Sequence, residues 1–164
     1  MERVILVDAG DNESGAAEKI AAHRDNLLHR AFSVILTRGD EILLQRRDIG
    51  KYHSGGLWAN ACCGHPRPGE DLAAAAARRL DEEMGISCPL AWRAKTRYQC
   101  ALKGGMHENE IVHLFFGEYD GPIHPDPQEV MEWKWTDLET FRREAAGSDE
   151  VVYWVRDYLK KGLL

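Results

Sequence analysis

The sequence predicts an α/β (α+β) fold, a mixed sheet sandwiched between helices, and three observations predict it. Short β-branched and apolar runs recur from end to end, separated by Gly-, Pro- and Asp-containing turns. The best helical stretch lies mid-chain, where Leu72, Ala76, Leu80 and Met84 recur every four residues. Two further helical segments close the C-terminus, and no repeat or linker divides the chain, so residues 1–164 are expected to form one domain.

In order, residues 3–7 read as a strand and 8–15 as a turn-rich loop. A short helix is expected over 16–23. Strands 32–37 and 41–46 flank Arg38-Gly39-Asp40, a hairpin signal. Residues 47–56 form a loop, and 57–63 a short buried strand. The central helix runs over about 70–84, stopped by Gly85. Strands over 89–102 and 111–119 flank Lys103-Gly104-Gly105. A Pro-rich loop over 120–129 leads to an alternating, half-buried strand at 130–136. Helices are expected over 137–146 and 150–161.

Composition narrows the function classes. A chain of 164 residues that is 44% hydrophobic and 29% charged can bury a substantial core. No apolar run approaches the ~18 residues of a membrane span, and the start of the chain turns acidic too soon for a signal peptide. A net charge of -6 disfavours nucleic acid as a partner, although local Lys and Arg can still hold a small anion. Four cysteines, two adjacent, do not make a disulfide framework, so a cytoplasmic protein is expected. Without a Gly-x-Gly-x-x-Gly run, neither flavin nor nicotinamide is expected.

The chemistry concentrates in Ala61-Cys62-Cys63-Gly64-His65-Pro66-Arg67-Pro68-Gly69-Glu70 and the helix it feeds. A thiol and an imidazole flank one glycine. Glu82 and Glu83 crowd the helix C-terminus, where the macrodipole disfavours negative charge, so a counter-cation such as Mg²⁺ is expected there. Glu83 shares a helix face with Arg79, and Glu82 with Arg78. Lone histidines are usually structural, and His53, His107, His113 and His124 are read so. His23, His29 and His65 each stand beside another unusual residue. His23 and His29, six apart, share no helix face and meet only if the chain between them loops. Glu108 and Glu110 point to one side if they open a strand. Together these make an N/O site suited to Zn²⁺, Mn²⁺ or Mg²⁺.

Gly64-x5-Glu70-x7-Arg78-Arg79-Leu80-Asp81-Glu82-Glu83-Met84-Gly85-Ile86 resembles the Nudix box, G-x5-E-x7-R-E-U-x-E-E-x-G-U with U apolar. It departs at one position, where Arg79 replaces a glutamate that Nudix hydrolases use for metal. The resemblance implies a Nudix-type mixed-sheet α/β/α sandwich, and the departure argues against an ordinary hydrolase of an organic or nucleoside diphosphate. His23 and His29-Arg-Ala-Phe, Cys63-Gly64-His65-Pro66, Tyr98 and Glu108-Asn109-Glu110 together resemble the type I isopentenyl-diphosphate isomerases, a Nudix-fold family. The resemblance spans nearly the whole chain, with one residue fewer between His23 and His29 than in the member compared.

That resemblance implies a 1,3-allylic rearrangement of isopentenyl to dimethylallyl diphosphate through a tertiary carbocation. It implies that Glu110, with Tyr98 beside it, protonates the alkene while Cys63 handles the proton on the opposite face. Burial would keep Glu110 protonated, and nearby cations or metal would tune Cys63 toward thiolate. Trp154, or alternatively Trp58, would face the carbocation or close the pocket. His23, His29, His65, Glu108 and Glu110 would bind one metal, and Glu83 a Mg²⁺ on the diphosphate. Lys19, Arg47, Lys51 and Arg79 would anchor the phosphates. The implied partner is a small-molecule diphosphate, with the protein acting as a monomer or weak homodimer.

Overall fold

In the computed structural model, residues 1–164 form nine strands and four helices. The core strand is β3 (His29–Arg38), whose residues are buried on both faces. Ala31 and Ile35 join one apolar cluster, with Leu114, Val155 and Tyr158. Phe32, Val34 and Leu36 join a second, with Leu80 and Met84. Alternate side chains therefore meet different helical layers, which is why this strand reads as a nearly unbroken apolar run.

β8 (His107–Glu118) pairs in parallel with β3 from His29↔Glu110 to Thr37↔Glu118, and β7 (Ala91–Ala101) pairs antiparallel with β8. β3 also pairs antiparallel with β1 (Arg3–Val7) at His29, with β6 (Cys62–Gly64) at Phe32 to Val34, and with β4 (Glu41–Arg47) near Arg38. β4 carries β5 (Trp58–Ala59) and β9 (Val130–Asp137), and β2 (Glu13–Glu18) pairs with β1. Helix α2 (Leu72–Met84) covers the second cluster. Helices α3 (Leu138–Ala145) and α4 (Tyr153–Lys160) cover the first. This is the expected mixed-sheet α/β/α sandwich. No helix is long and apolar enough to cross a membrane.

The expected central helix is present. The Asp71 side chain caps it by accepting from the Ala74 amide at 2.9 Å. Gly85 ends it at φ 64°, a conformation that disfavours a Cβ, and any Cβ there would lie 2.7 Å from the His124 carbonyl. Ala76, Leu80 and Met84 are buried as the periodicity predicts, joined by Ala75. Leu72 is only half-buried. Emptying the Leu80 site with alanine would cost ~2–5 kcal/mol.

Several expectations need correction. Residues 16–18 belong to β2, and helix α1 occupies only Lys19–Arg24. The Glu18 carboxylate accepts from the Ile20 and Ala21 amides, so the helix starts after it, while residues 13–18 find β1 as a partner. The single strand expected over 57–63 is two, broken where the Asn60 side chain donates to the Val34 and Cys62 carbonyls. The alternation at 130–136 does not give a half-buried strand. Val130 is buried, but Met131, Glu132, Trp133 and Lys134 are exposed on both faces of the strand. The strand at 111–119 begins earlier, at His107, and this brings Glu108 and Glu110 into its ladder.

Candidate active site

Register builds the site. His29, Glu110 and Tyr98 lie directly opposite one another across β3, β8 and β7, so their side chains project to one face. Glu108 is two residues before Glu110 and joins them on that face. His23 arrives from the last turn of α1, and Asn26, at φ 56°, bends the chain back toward His29. The shortened interval is thus closed by a left-handed residue, and the two imidazole centroids lie 4.8 Å apart. His65 follows β6. It needs Gly64 behind it, because a Cβ there would meet the Phe32 ring at 2.8 Å and the Arg79 stem at 3.2 Å.

Four side chains, His23, His29, His65 and Glu110, present ligand atoms within 4.8 Å of one another, all buried. His23 Nδ1 donates to the Lys19 carbonyl at 2.7 Å, and His29 Nδ1 to the Leu27 carbonyl at 2.8 Å. In each neutral ring this fixes Nε2 as a lone pair. His23 Nε2 has no hydrogen-bond partner. His29 Nε2 faces Glu110 Oε1 at 3.2 Å, and His65 Nε2 faces the same oxygen at 3.0 Å. An imidazole lone pair aimed at a carboxylate oxygen is repulsive unless a proton or a cation lies between them. The donor set therefore fits a divalent metal ion, with backbone carbonyls orienting the ligands.

The charges differ from the expectation for Glu110. Burial pushes its pKa up, but His29 and His65, which donate to it when their Nε2 atoms carry protons, outweigh that and hold it well below the usual carboxylate range; in the neutral rings a bound cation would take the place of those protons. Glu108 is instead the raised member, pushed well above that range by burial and by the neighbouring Glu110 charge. Desolvation alone predicts a protonated Glu110, and the converging imidazoles reverse it. Tyr98 donates to Glu110 Oε2 at 2.9 Å.

The thiol lies in a different network. Cys63 sits opposite Ser33 in the β3–β6 ladder, and their Sγ and Oγ atoms lie 3.3 Å apart. Cys63 Sγ donates to Asn60 Oδ1 at 3.2 Å, and Trp154 Nε1 donates to the same oxygen at 3.2 Å. Tyr158 OH lies 2.7 Å from Ser33 Oγ. Burial pushes the Cys63 pKa up to about 11, so the expected drift toward thiolate is not found. Cys62 faces away into the core beneath α2.

One cavity collects nearly all of the expected residues. Cys63, Tyr98, Glu108, Glu110 and Trp154 line it, with His65 and Glu83, and so do Lys19, Arg47, Lys51 and Arg79. His23 and His29 sit behind its wall at the Glu110 hub. Lys19 pairs with Glu2 at 3.0 Å, and Lys51 with Glu129. Arg47 leaves Nε buried without a partner and stacks its guanidinium over Trp154, 5.3 Å from the ring centroid. Arg79 donates to Glu82 and Glu83, so arginines already supply the counter-charge at the helix end. Glu83 Oε2 accepts from Gln45 at 3.0 Å. Each Glu83 oxygen keeps a further lone pair, which fits Mg²⁺ held by a single carboxylate together with substrate oxygens.

Two residue assignments change. Trp58 does not line this cavity; it packs against Lys134 on another face, and Tyr52 forms the wall instead. His53, read as structural, joins the site, with Nε2 2.7 Å from Glu108 Oε1. His113 is structural as expected, held between Trp92 and Asp11. Ser33, Asn60, Gln45 and Tyr158 were not anticipated. Their only sequence signal is a polar group inside an apolar run.

Comparison with known proteins bears on this site. The NUDIX domain family matches residues 27–155. Isopentenyl-diphosphate Delta-isomerase 1 of Aromatoleum aromaticum is 49% identical over 144 residues, covering 87% of this chain and 81% of that protein. The isopentenyl-diphosphate Delta-isomerase of Serratia proteamaculans is 46% identical over 150 residues, covering 91% and 84%. Among solved structures, a Deinococcus radiodurans protein superposes with a TM-score of 0.78 at 16% identity, over 98% of each chain. A MutT NUDIX hydrolase from Burkholderia pseudomallei superposes with a TM-score of 0.65 at 18% identity, over 81% of this chain and 96% of that one. At such identities the two structures speak for the fold alone.

Proposed function

This chain belongs to the Nudix family and, within it, to the isopentenyl-diphosphate Delta-isomerases, and on that premise we propose how its residues carry the reaction. The reaction is the 1,3-allylic rearrangement of isopentenyl diphosphate to dimethylallyl diphosphate: a proton is added to one end of an unactivated alkene and another is removed beyond it. The observation that carries the assignment of roles is the pairing, in one cavity, of a Tyr98-bonded carboxylate hub with a buried, hydrogen-bonded thiol.

Lys19, Arg47, Lys51 and Arg79 bind the diphosphate, displacing Glu2 and Glu129 from Lys19 and Lys51 and drawing on the unpartnered Arg47 Nε. Glu83 would share in that binding by holding Mg²⁺. His23, His29, His65, Glu108 and Glu110 would hold Mn²⁺, Zn²⁺ or Mg²⁺, whose charge would order the two carboxylates. Glu110 and Tyr98 exchange the proton at one end of the alkene. Cys63 exchanges it at the other, its thiol held by Ser33 and Asn60. The reaction is reversible, so donor and acceptor trade places with direction. Trp154 offers an aromatic face to the tertiary carbocation and excludes water from it. We read residues 1–164 as one domain, a monomer or weak homodimer. Four unpaired cysteines suit a reducing cytoplasm.

Arg79 favours this reading over a hydrolase. Its guanidinium occupies the Glu82 and Glu83 carboxylates where a hydrolase would gather metal. The test is conversion of labelled isopentenyl diphosphate by metal-loaded protein, with free phosphate and pyrophosphate followed in parallel. Cys63→Ala is expected to lose ~10²–10⁴-fold in rate without phosphate release. Unchanged conversion in Cys63→Ala, or phosphate release by the wild type, would overturn these roles.

A further inference from the structure

The sixth imidazole-or-carboxylate group at the metal cluster is His53, which the family resemblance does not assign. It is buried, and its Nε2 lies 2.7 Å from Glu108 Oε1. This is a close ion-pair contact, far shorter than the 3.7 Å from His23 Nε2 to the same carboxylate. Glu108 also shares a hydrogen bond with Glu110, and two longer contacts fall on Oε2, Tyr98 OH at 3.5 Å and His23 Nε2 at 3.7 Å. The two oxygens of Glu108 are therefore unlike. Oε1 lies against His53, and Oε2 faces His23 and Tyr98.

His53 also differs from the other three histidines in what its second nitrogen meets. In His23 and His29, Nδ1 donates to a backbone carbonyl, which frees Nε2 to coordinate. In His53, Nδ1 lies 3.1 Å from the Ser54 hydroxyl, a group able to donate to it. With Glu108 ionised, as a metal ligand must be, the tautomer that satisfies both contacts carries its proton on Nε2. Its ring is locked at the edge of Tyr52 (centroids 4.3 Å apart) and of Trp154 (5.9 Å), and its carbonyl accepts from Arg47 at 3.3 Å.

We propose that His53 is a positioning residue of the metal centre, its Nε2–H holding Glu108 Oε1 so that Oε2 is presented to the ion. Lys51, two residues earlier, faces the phosphate end of the same cavity. The segment 51–54 is then a strap joining the two ends, and a substrate that draws in Lys51 also steadies Glu108. This inference rests on the reading of the histidine–carboxylate cluster as a metal site.

The experiment is titration of chelator-treated, full-length protein with Mn²⁺, reading affinity and stoichiometry, for the wild type, His53→Ala and His53→Gln. His53→Ala is expected to bind the same number of ions about 10- to 100-fold more weakly. His53→Gln, which keeps an N–H donor, is expected to recover most of that loss. The melting temperature of each metal-free variant separates this from a folding defect, which glutamine would not rescue. Affinity unchanged in His53→Ala overturns the inference while leaving the metal site intact. Loss of a whole equivalent of ion in His53→Ala overturns it too, making His53 a ligand. A wild type that takes up no ion sinks the metal reading and this inference with it.

Discussion

Two clusters in this molecule combine histidine with carboxylate, and they differ in whether each nitrogen finds a complementary partner. At Asp11, every group is matched. Trp92 Nε1 donates to His113 Nδ1 at 3.0 Å, and His113 Nε2 donates to Asp11 Oδ2 at 2.8 Å. Arg30 closes the arrangement at 2.9 Å on Oδ1. This cluster ties the β1–β2 turn to the sheet and needs nothing more. At Glu110, His29 and His65 aim Nε2 at one carboxylate oxygen, and His23 aims Nε2 at no partner. The same residue types thus make a fully matched brace in one place and, on the reading proposed above, a ligand set for a divalent ion in the other. What distinguishes them is the backbone: carbonyls of Lys19 and Leu27 take the Nδ1 protons and leave lone pairs where the brace has a donor.

The sharpest break of this comparison is Glu110→Gln. It should lower conversion of isopentenyl diphosphate by ~10²–10⁴-fold. Yet in chelator its melting temperature should not fall, because the new amide can donate to an imidazole lone pair. A large drop in the melting temperature would mean that Glu110 is a structural brace like Asp11. Next in size, saturating divalent ion should stabilise the wild type, by ~2.7 kcal/mol at a hundredfold excess over Kd. Calorimetry should find the same gain in Asp11→Asn, whose cluster takes no ion.

Asp11→Asn should itself cost ~1–3 kcal/mol, read as a denaturation midpoint, with conversion unchanged. Asparagine tolerates the φ of 66° at this position, so the loss reports charge rather than backbone strain. Its pH dependence has a definite sign. Burial raises Asp11, but Arg30 and His113 outweigh it and leave the folded pKa below the ordinary 3.8. That stability is present above about pH 4 and is lost as the pH falls through the lowered folded value. Acid denaturation curves of wild type and Asp11→Asn should converge there. The smallest effect expected is Trp92→Phe, which removes one donor to His113 and should cost ~0.5–1.5 kcal/mol without touching ion affinity.

Much of the site was legible because its signals are local. Gly64-x5-Glu70-x7-Arg78 and Cys63-Gly64-His65 each lie within one short stretch, and Glu108 and Glu110 share a face by strand period alone. The residues that escaped act across long separations. Ser33 contacts Cys63 and Tyr158 only once the β3–β6 register and α4 are in place. His53 looks like any loop histidine until β8 brings Glu108 beside it. Burial alone suggests a protonated Glu110; that His29 and His65 both reach the same Glu110 oxygen and lower its pKa shows only once the strand register is set. In the fold, local propensity misplaced 16–18, where a cap and a partner strand decided the outcome.

The most direct test strips the wild type and Asp11→Asn of metal and follows labelled isopentenyl diphosphate before and after divalent ion is restored. Both proteins should fall silent when stripped and recover to the same extent on reloading. A stripped wild type that converts substrate at full rate would contradict the account of the Glu110 cluster. An Asp11→Asn protein that cannot be reloaded would contradict its separation from the Asp11 brace.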